Sequence, residues 1–261
     1  MLRRLRQHAH GCRRSARYPL ELSFIMPSDR AAASLLDLGI SHVAVAMTIV
    51  DGPPAGVAET SIPAVSSCAF WRQAESATFF APTAAQQGCA VGAHVMGFPL
   101  SAEAGEELGR AVALMSSVGY LPGGEVAHIP QVRKAGAGAV YGPLASFPLE
   151  PDCVLVWVTP AQAMLLGEAL QTTAWTGAAP EVSTLLGRPA CSALASALNT
   201  GCSALSLGCT GMRTFTEVVP TLALFVIPGA ALATLPDALA RIAASNQAML
   251  EYYQAKRDAL T

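Results

Sequence analysis

Charge is scarce in this sequence: Asp, Glu, Lys and Arg together make up 13% of 261 residues, where a soluble domain ordinarily carries roughly a quarter. With 52% hydrophobic residues beside it, that scarcity excludes a disordered, solvating chain, and the length leaves room for a sizeable core. Lysine is nearly missing, with only Lys134 and Lys256, and no glycine-rich loop ending in Gly-Lys-Ser/Thr is present to cradle nucleotide phosphates. His-Glu-x-x-His, Gly-x-Ser-x-Gly and Cys-x-x-Cys are all absent, which sets aside the common zinc-protease, serine-hydrolase and thioredoxin-type signatures. Gly136-Ala137-Gly138 opens like a dinucleotide fingerprint, but it lacks the third glycine and a strand is expected after it, so a Rossmann reading fails.

What charge there is divides unevenly. Arg3, Arg4, Arg6, Arg13, Arg14 and Arg17 crowd the first twenty residues with no acid among them, leaving ten basic residues against 18 acidic ones in the rest. The body therefore carries no basic stripe for phosphate backbones, and no nucleic-acid partner is expected. No apolar segment follows Arg13-Arg14, so residues 1–28 read as a mobile basic extension rather than an export signal. Residues 29–261 read as a single domain. The uncharged runs Val218 to Leu235 and Pro189 to Met212 approach the length of a bilayer crossing. Pro220, Pro228 and Pro236 interrupt the first and Asn199, Thr200, Ser203, Ser206 and Thr210 dilute the second, so both are expected to be buried strands and core helices, with no membrane partner.

The pattern predicts helices over Asp29 to Leu38, Ala69 to Phe80, Ser101 to Val118, Ala161 to Trp175, Ala190 to Leu198 and Pro236 to Leu260. It predicts strands over His42 to Val50, Val126 to Val132, Ala139 to Leu144, Cys153 to Thr159, Ser203 to Leu207 and Leu222 to Ile227. Interleaved in this order, they give an α/β, mixed α+β domain whose mixed, partly antiparallel sheet is flanked by helices. Tyr252, Tyr253, Lys256 and Arg257 near the end of the last helix offer a pairing surface for a second copy, so a homo-oligomer stays open beside a solvated helix end.

Cysteine, by contrast, is plentiful: Cys12, Cys68, Cys89, Cys153, Cys191, Cys202 and Cys209. The odd number and the absence of a signal peptide predict reduced thiols in the cytoplasm. Cys68 precedes a helix that carries Arg72, a setting expected to lower its pKa. Cys89 follows Gly88, and Cys209 lies in Leu207-Gly208-Cys209-Thr210-Gly211-Met212-Arg213, where a buried strand breaks into a glycine turn. Glycine lets backbone come close to a bound group. His8, His10 and Cys12 are expected to be solvated in the extension.

Ser66-Ser67-Cys68-Ala69-Phe70, Gly88-Cys89-Ala90-Val91-Gly92-Ala93, Glu150-Pro151-Asp152-Cys153-Val154, Thr159-Pro160-Ala161-Gln162-Ala163-Met164 and Gly208-Cys209-Thr210-Gly211-Met212-Arg213 form an ordered string of blocks. In that order they resemble the uncharacterised ArCR family of unknown function, DUF169, from about Ser34 to Tyr253. The resemblance implies a shared cytoplasmic prokaryotic fold with cysteines at Cys68, Cys89 and Cys209, and it supplies no reaction.

The leading expectation is that Cys68, Cys89 and Cys209 converge to bind an iron–sulfur cluster or another thiophilic metal, with Cys202 or His94 as fourth ligand and Arg213 at the cofactor site. A second is a thiol enzyme in which Cys209 or Cys68 attacks a substrate, with Arg213 or Arg72 assisting and His42, His94 or His128 as base. A third is a pocket for an apolar or carboxylate-bearing small molecule lined by Phe70, Trp71, Phe79, Phe80 and Met96, with Arg72 or Arg213 as anchor. The bland alternatives are a structural Arg213–Glu217 pair, cysteines packed as small hydrophobes, and Asp152 as a strand cap. Cys153 and Cys191 are expected to play no part in the site.

Overall fold

The computed structural model describes residues 27–61, 66–120, 129–171, 174–175 and 189–260. Most of the basic extension, with His8, His10 and Cys12, lies outside them, as does His128. Along the chain run α1 (Pro27–Asp37), β1 (Val45–Val50), α2 (Ser67–Gln73), β2 (Phe79–Pro82), α3 (Ala90–Val95), α4 (Ala102–Ser117), β3 (Gly138–Pro143) and β4 (Cys153–Val158). They are followed by α5 (Pro160–Leu170), β5 (Ala174–Trp175), α6 (Cys191–Thr200), β6 (Ala204–Ser206), α7 (Thr210–Thr216), β7 (Ala223–Pro228) and α8 (Leu235–Asp258). The strands form one sheet in the order β2-β3-β1-β4-β7-β6-β5. Its pairings are antiparallel except the short parallel one between β5 and β6, so the fold is mixed α/β.

The apolar runs that approach membrane length are explained by this sheet. Alternate residues of a strand point to opposite faces, and here both faces are covered. Val45, Met47, Ile49, Cys153, Leu155, Trp157, Leu224 and Val226 pack into a core shared with α2, α3, α6 and α7. Ala46, Val154, Val156, Val158, Phe225 and Ile227 pack into a second core against α1, α5 and the start of α8. Each large side chain fully removed from water contributes roughly 1.5–3 kcal/mol, which is why the central strands read as unbroken hydrophobic segments. No helix among the described residues is long and apolar enough to cross a membrane.

Three elements depart from the sequence expectation. The helix expected over Ala69 to Phe80 ends at Gln73, and Phe79 and Phe80 enter β2 opposite Tyr141 and Val140. Aromatic packing among Phe70, Phe79 and Tyr141 outweighs helical continuation there. The helix from Ala161 stops at Leu170, where Gln171 takes a left-handed φ of 57°, and Ala174 and Trp175 pair in β5. Of the strand expected over Val126 to Val132, residues 126–128 lie outside the described residues. The remainder is not a strand, although the Val132 amide donates to the Val95 carbonyl at 2.8 Å.

Candidate functional site

On the first of these two faces the N-terminal ends of α2, α3, α6 and α7 meet around one cavity of about 280 Å³. Each end is built locally. Ser66 caps α2, its Oγ accepting from the Ala69 amide at 3.1 Å. Cys89 caps α3, its sulfur accepting from the Gly92 amide at 3.4 Å. Cys209 caps α7 in the same way, accepting from the Met212 amide at 3.3 Å. Before it, Gly208 holds φ +87°, a left-handed conformation that favours glycine, beside the end of the Met212 side chain. Cys191 opens α6, whose first turn is closed by the Ser192 hydroxyl on the Pro189 carbonyl.

Four thiols therefore line one cavity: Cys68, Cys89, Cys191 and Cys209. Their closeness is electrostatic as well as geometric, since negative charge on Cys209 or Cys89 raises the pKa of Cys68, and charge on any of these three raises that of Cys191. Burial is the larger cause. It lifts the Cys68 thiol from 9.0 to about 12, pushes Cys89 up, and holds Cys191 well above the ordinary range. The Ser66 hydroxyl, 3.0 Å from the Cys68 sulfur, opposes that rise. Among the described residues no His, Asp, Glu, Lys or Arg lines the cavity.

The cavity also holds an unsatisfied group. Ser67 Oγ is buried and has no hydrogen-bond partner, which costs roughly 1–3 kcal/mol unless a bound group answers it. A Cβ on Gly92 would stand 3.5 Å from this oxygen and 3.5 Å from the Cys89 sulfur, so the missing side chain leaves room for one methyl-sized group against two polar atoms. Met115, Tyr120, Ile129 and Phe215 complete the wall with apolar surface. The Tyr120 hydroxyl accepts from the Thr210 amide at 3.4 Å, tying that wall to α7.

The family model of DUF169, uncharacterised ArCR, matches residues 36–237, a span that contains all four of these cysteines. The chain belongs to this family. No curated protein and no solved structure matches it.

In this DUF169 protein three of the expected cysteines share the cavity, and the fourth is Cys191, not Cys202. Cys202 lies beyond the far end of α6, beside the Thr200 carbonyl, and does not line the cavity. His94 is held by Gln131 Nε2 at 3.0 Å and is likewise elsewhere. Arg213 donates to the Leu207, Val219 and Leu222 carbonyls. It is a brace behind α7, not among the residues lining the cavity and not paired with Glu217, which instead ends α7 with φ 53°. Arg72 is bound to Glu75 and lies 3.0 Å from His42 Nδ1, so it does not lower the Cys68 pKa. Phe70, Trp71, Phe79, Phe80 and Met96 are buried core residues that line no part of the cavity. Asp152 accepts from the Ile49 amide at 2.8 Å and pairs with Lys134 at 2.6 Å, and Cys153 is enclosed in the sheet. Sequence reasoning missed Cys191, Ser67 and Tyr120. For Cys191 a signal existed: Pro189, immediately before the helix predicted from Ala190, marks an N-terminal end like those carrying the other thiols.

Proposed function

We propose that this protein binds an iron–sulfur cluster through the thiolates of Cys68, Cys89, Cys191 and Cys209. The observation that carries the reading is the set of four thiols, drawn from four separate helices, on one cavity whose described lining includes no carboxylate or imidazole. Soft sulfur ligands without His or carboxylate partners select iron–sulfur clusters, zinc or copper(I) over hard cations. Among the described residues no group of three or more His, Cys, Asp or Glu side chains is arranged to hold a metal ion. A single zinc would draw its sulfurs to within roughly 4 Å of one another, given bonds of about 2.3 Å. A cluster takes its thiolates at separate corners of a larger body, so under this reading the four sulfurs need not converge on one ion.

Two further features support the choice. The Gly92 and Met212 amides already donate to the sulfurs of Cys89 and Cys209, as donors around cluster thiolates do. The raised thiol pKa values oppose a nucleophilic cysteine, which needs a lowered one, whereas a metal displaces thiol protons on binding. When bound, such a cluster supplies one-electron redox chemistry. The free cysteines support a cytoplasmic location as part of this reading.

Anaerobic purification followed by iron and sulfide analysis tests the reading. The expected result is iron and sulfide in equal amount, about two or four of each per chain, with broad visible absorbance that bleaches on reduction. A second reading rests on the apolar wall of Met115, Ile129 and Phe215, which suits a small apolar ligand. Protein that stays colourless and takes up neither iron nor sulfide on reconstitution selects that reading over the first.

A further inference from the structure

Resting on the cluster reading, we infer that the Ser67 hydroxyl is a positioning group for the cluster, donating a hydrogen bond to one of its sulfur atoms and raising its reduction potential. Ser67 is 1% exposed, lines the cavity and has no partner for its Oγ. The other buried serines nearby are engaged: Ser66 with the Ala69 amide and the Cys68 sulfur, Ser192 with the Pro189 carbonyl, and Ser206 with the Gly208 amide. A buried hydroxyl left alone at the one place where four thiols meet is explained by an occupant that accepts from it.

The charge of that occupant decides the direction of the effect. Four thiolates and a cluster bring negative charge into an apolar cavity whose described wall includes no Lys, Arg or His. Dipolar donors on that wall stabilise it, and each one favours the more reduced, more negative state. The Gly92 amide serves Cys89 and the Met212 amide serves Cys209. Ser66, which accepts from Ala69 through its oxygen, keeps its proton to donate to Cys68. Ser67 adds a donor that points to no sulfur of the chain, and the space beside Gly92 is where the bound body would meet it. Hydrogen bonds to cluster sulfurs are among the levers that set potential.

The test is an anaerobic redox titration of the full chain, wild type against Ser67→Ala, with the remote Ser34→Ala as control. The midpoint of Ser67→Ala is expected at a more negative potential with iron content unchanged, and Ser34→Ala is expected to match wild type. An unchanged or more positive midpoint in Ser67→Ala overturns the inference while leaving the cluster in place. Should Ser67→Ala fail to load iron, the equal-shaped pair Ser67→Thr and Ser67→Val decides. Loading by Thr and not Val supports the hydroxyl contact, and equal behaviour of the two overturns it. Wild-type protein that takes up no iron overturns the cluster reading, and this inference with it.

Discussion

Cys89 and Cys209 stand in equivalent positions on different helices: each is the N-cap residue, each follows a glycine, and each sulfur accepts the amide three residues on, from Gly92 at 3.4 Å and Met212 at 3.3 Å. The two roles, cap and ligand, separate on substitution. Cys209→Ser keeps a capping atom and should leave the metal-free fold at least as stable as wild type. Cys209→Ala should lose roughly 0.5–2 kcal/mol, the usual cost of an N-cap. Both should load less iron. Urea unfolding of metal-free protein, set beside iron analysis, checks both halves, and Cys209→Ser with full iron content would refute the ligand role.

Gly92 offers a way to fill the cavity without injuring the fold. A Cβ there meets Cys89 and Ser67 at ordinary contact distance, and alanine within a helix is favoured over glycine by roughly 0.5–1 kcal/mol. Gly92→Ala should therefore unfold at equal or higher urea than wild type in the metal-free state and yet take up less iron. Full loading would show that the space beside Gly92 is not part of the site.

Stability without metal should fall in alkali. Burial holds the Cys68 thiol at about 12, against 9.0 as the ordinary value, and raises Cys89 and Cys191 as well. The folded chain keeps these thiols neutral where the unfolded chain ionises, so their contribution is complete below about pH 9 and is lost as pH rises from there toward the folded pKa. Urea midpoints at about pH 7, 9 and 10 should decline across the series, with a shallower decline in Cys68→Ser. A midpoint that holds steady or rises contradicts this.

Arg213 should behave as a brace. Its guanidinium gathers the carbonyls of Leu207, Val219 and Leu222, a fork that lysine cannot reproduce. Arg213→Lys is expected to lose about 1–2 kcal/mol while leaving the visible spectrum and potential of loaded protein unchanged. A shifted spectrum at unchanged stability would return Arg213 to the site.

Much of this architecture is written locally. β1, β4 and β7 are legible because β-branched runs stand between Asp, Gly and Pro breakers, and α4 because Ser101 caps an amphipathic repeat. β2 and β5 are not, because Phe79 and Trp175 are drawn into strands by partners distant in sequence. The thiols divide in the same way. Cys68, Cys89 and Cys209 announce themselves beside serine or glycine at helix starts, whereas Cys191 follows an alanine with no side-chain cap. Cys202, seven residues before Cys209, is close in sequence only. α6 carries Cys191 at its first residue and ends at Thr200, so a helical rise of 1.5 Å per residue sets Cys202 roughly 15 Å away from Cys191.

That separation yields the most direct test of the account. Cys191→Ser and Cys202→Ser, reconstituted side by side without oxygen, should differ sharply in bound iron: Cys202→Ser should match wild type in iron, sulfide and visible absorbance, and Cys191→Ser should lose most of all three. Iron retained in full by Cys191→Ser, or lost from Cys202→Ser, would contradict the four-cysteine site.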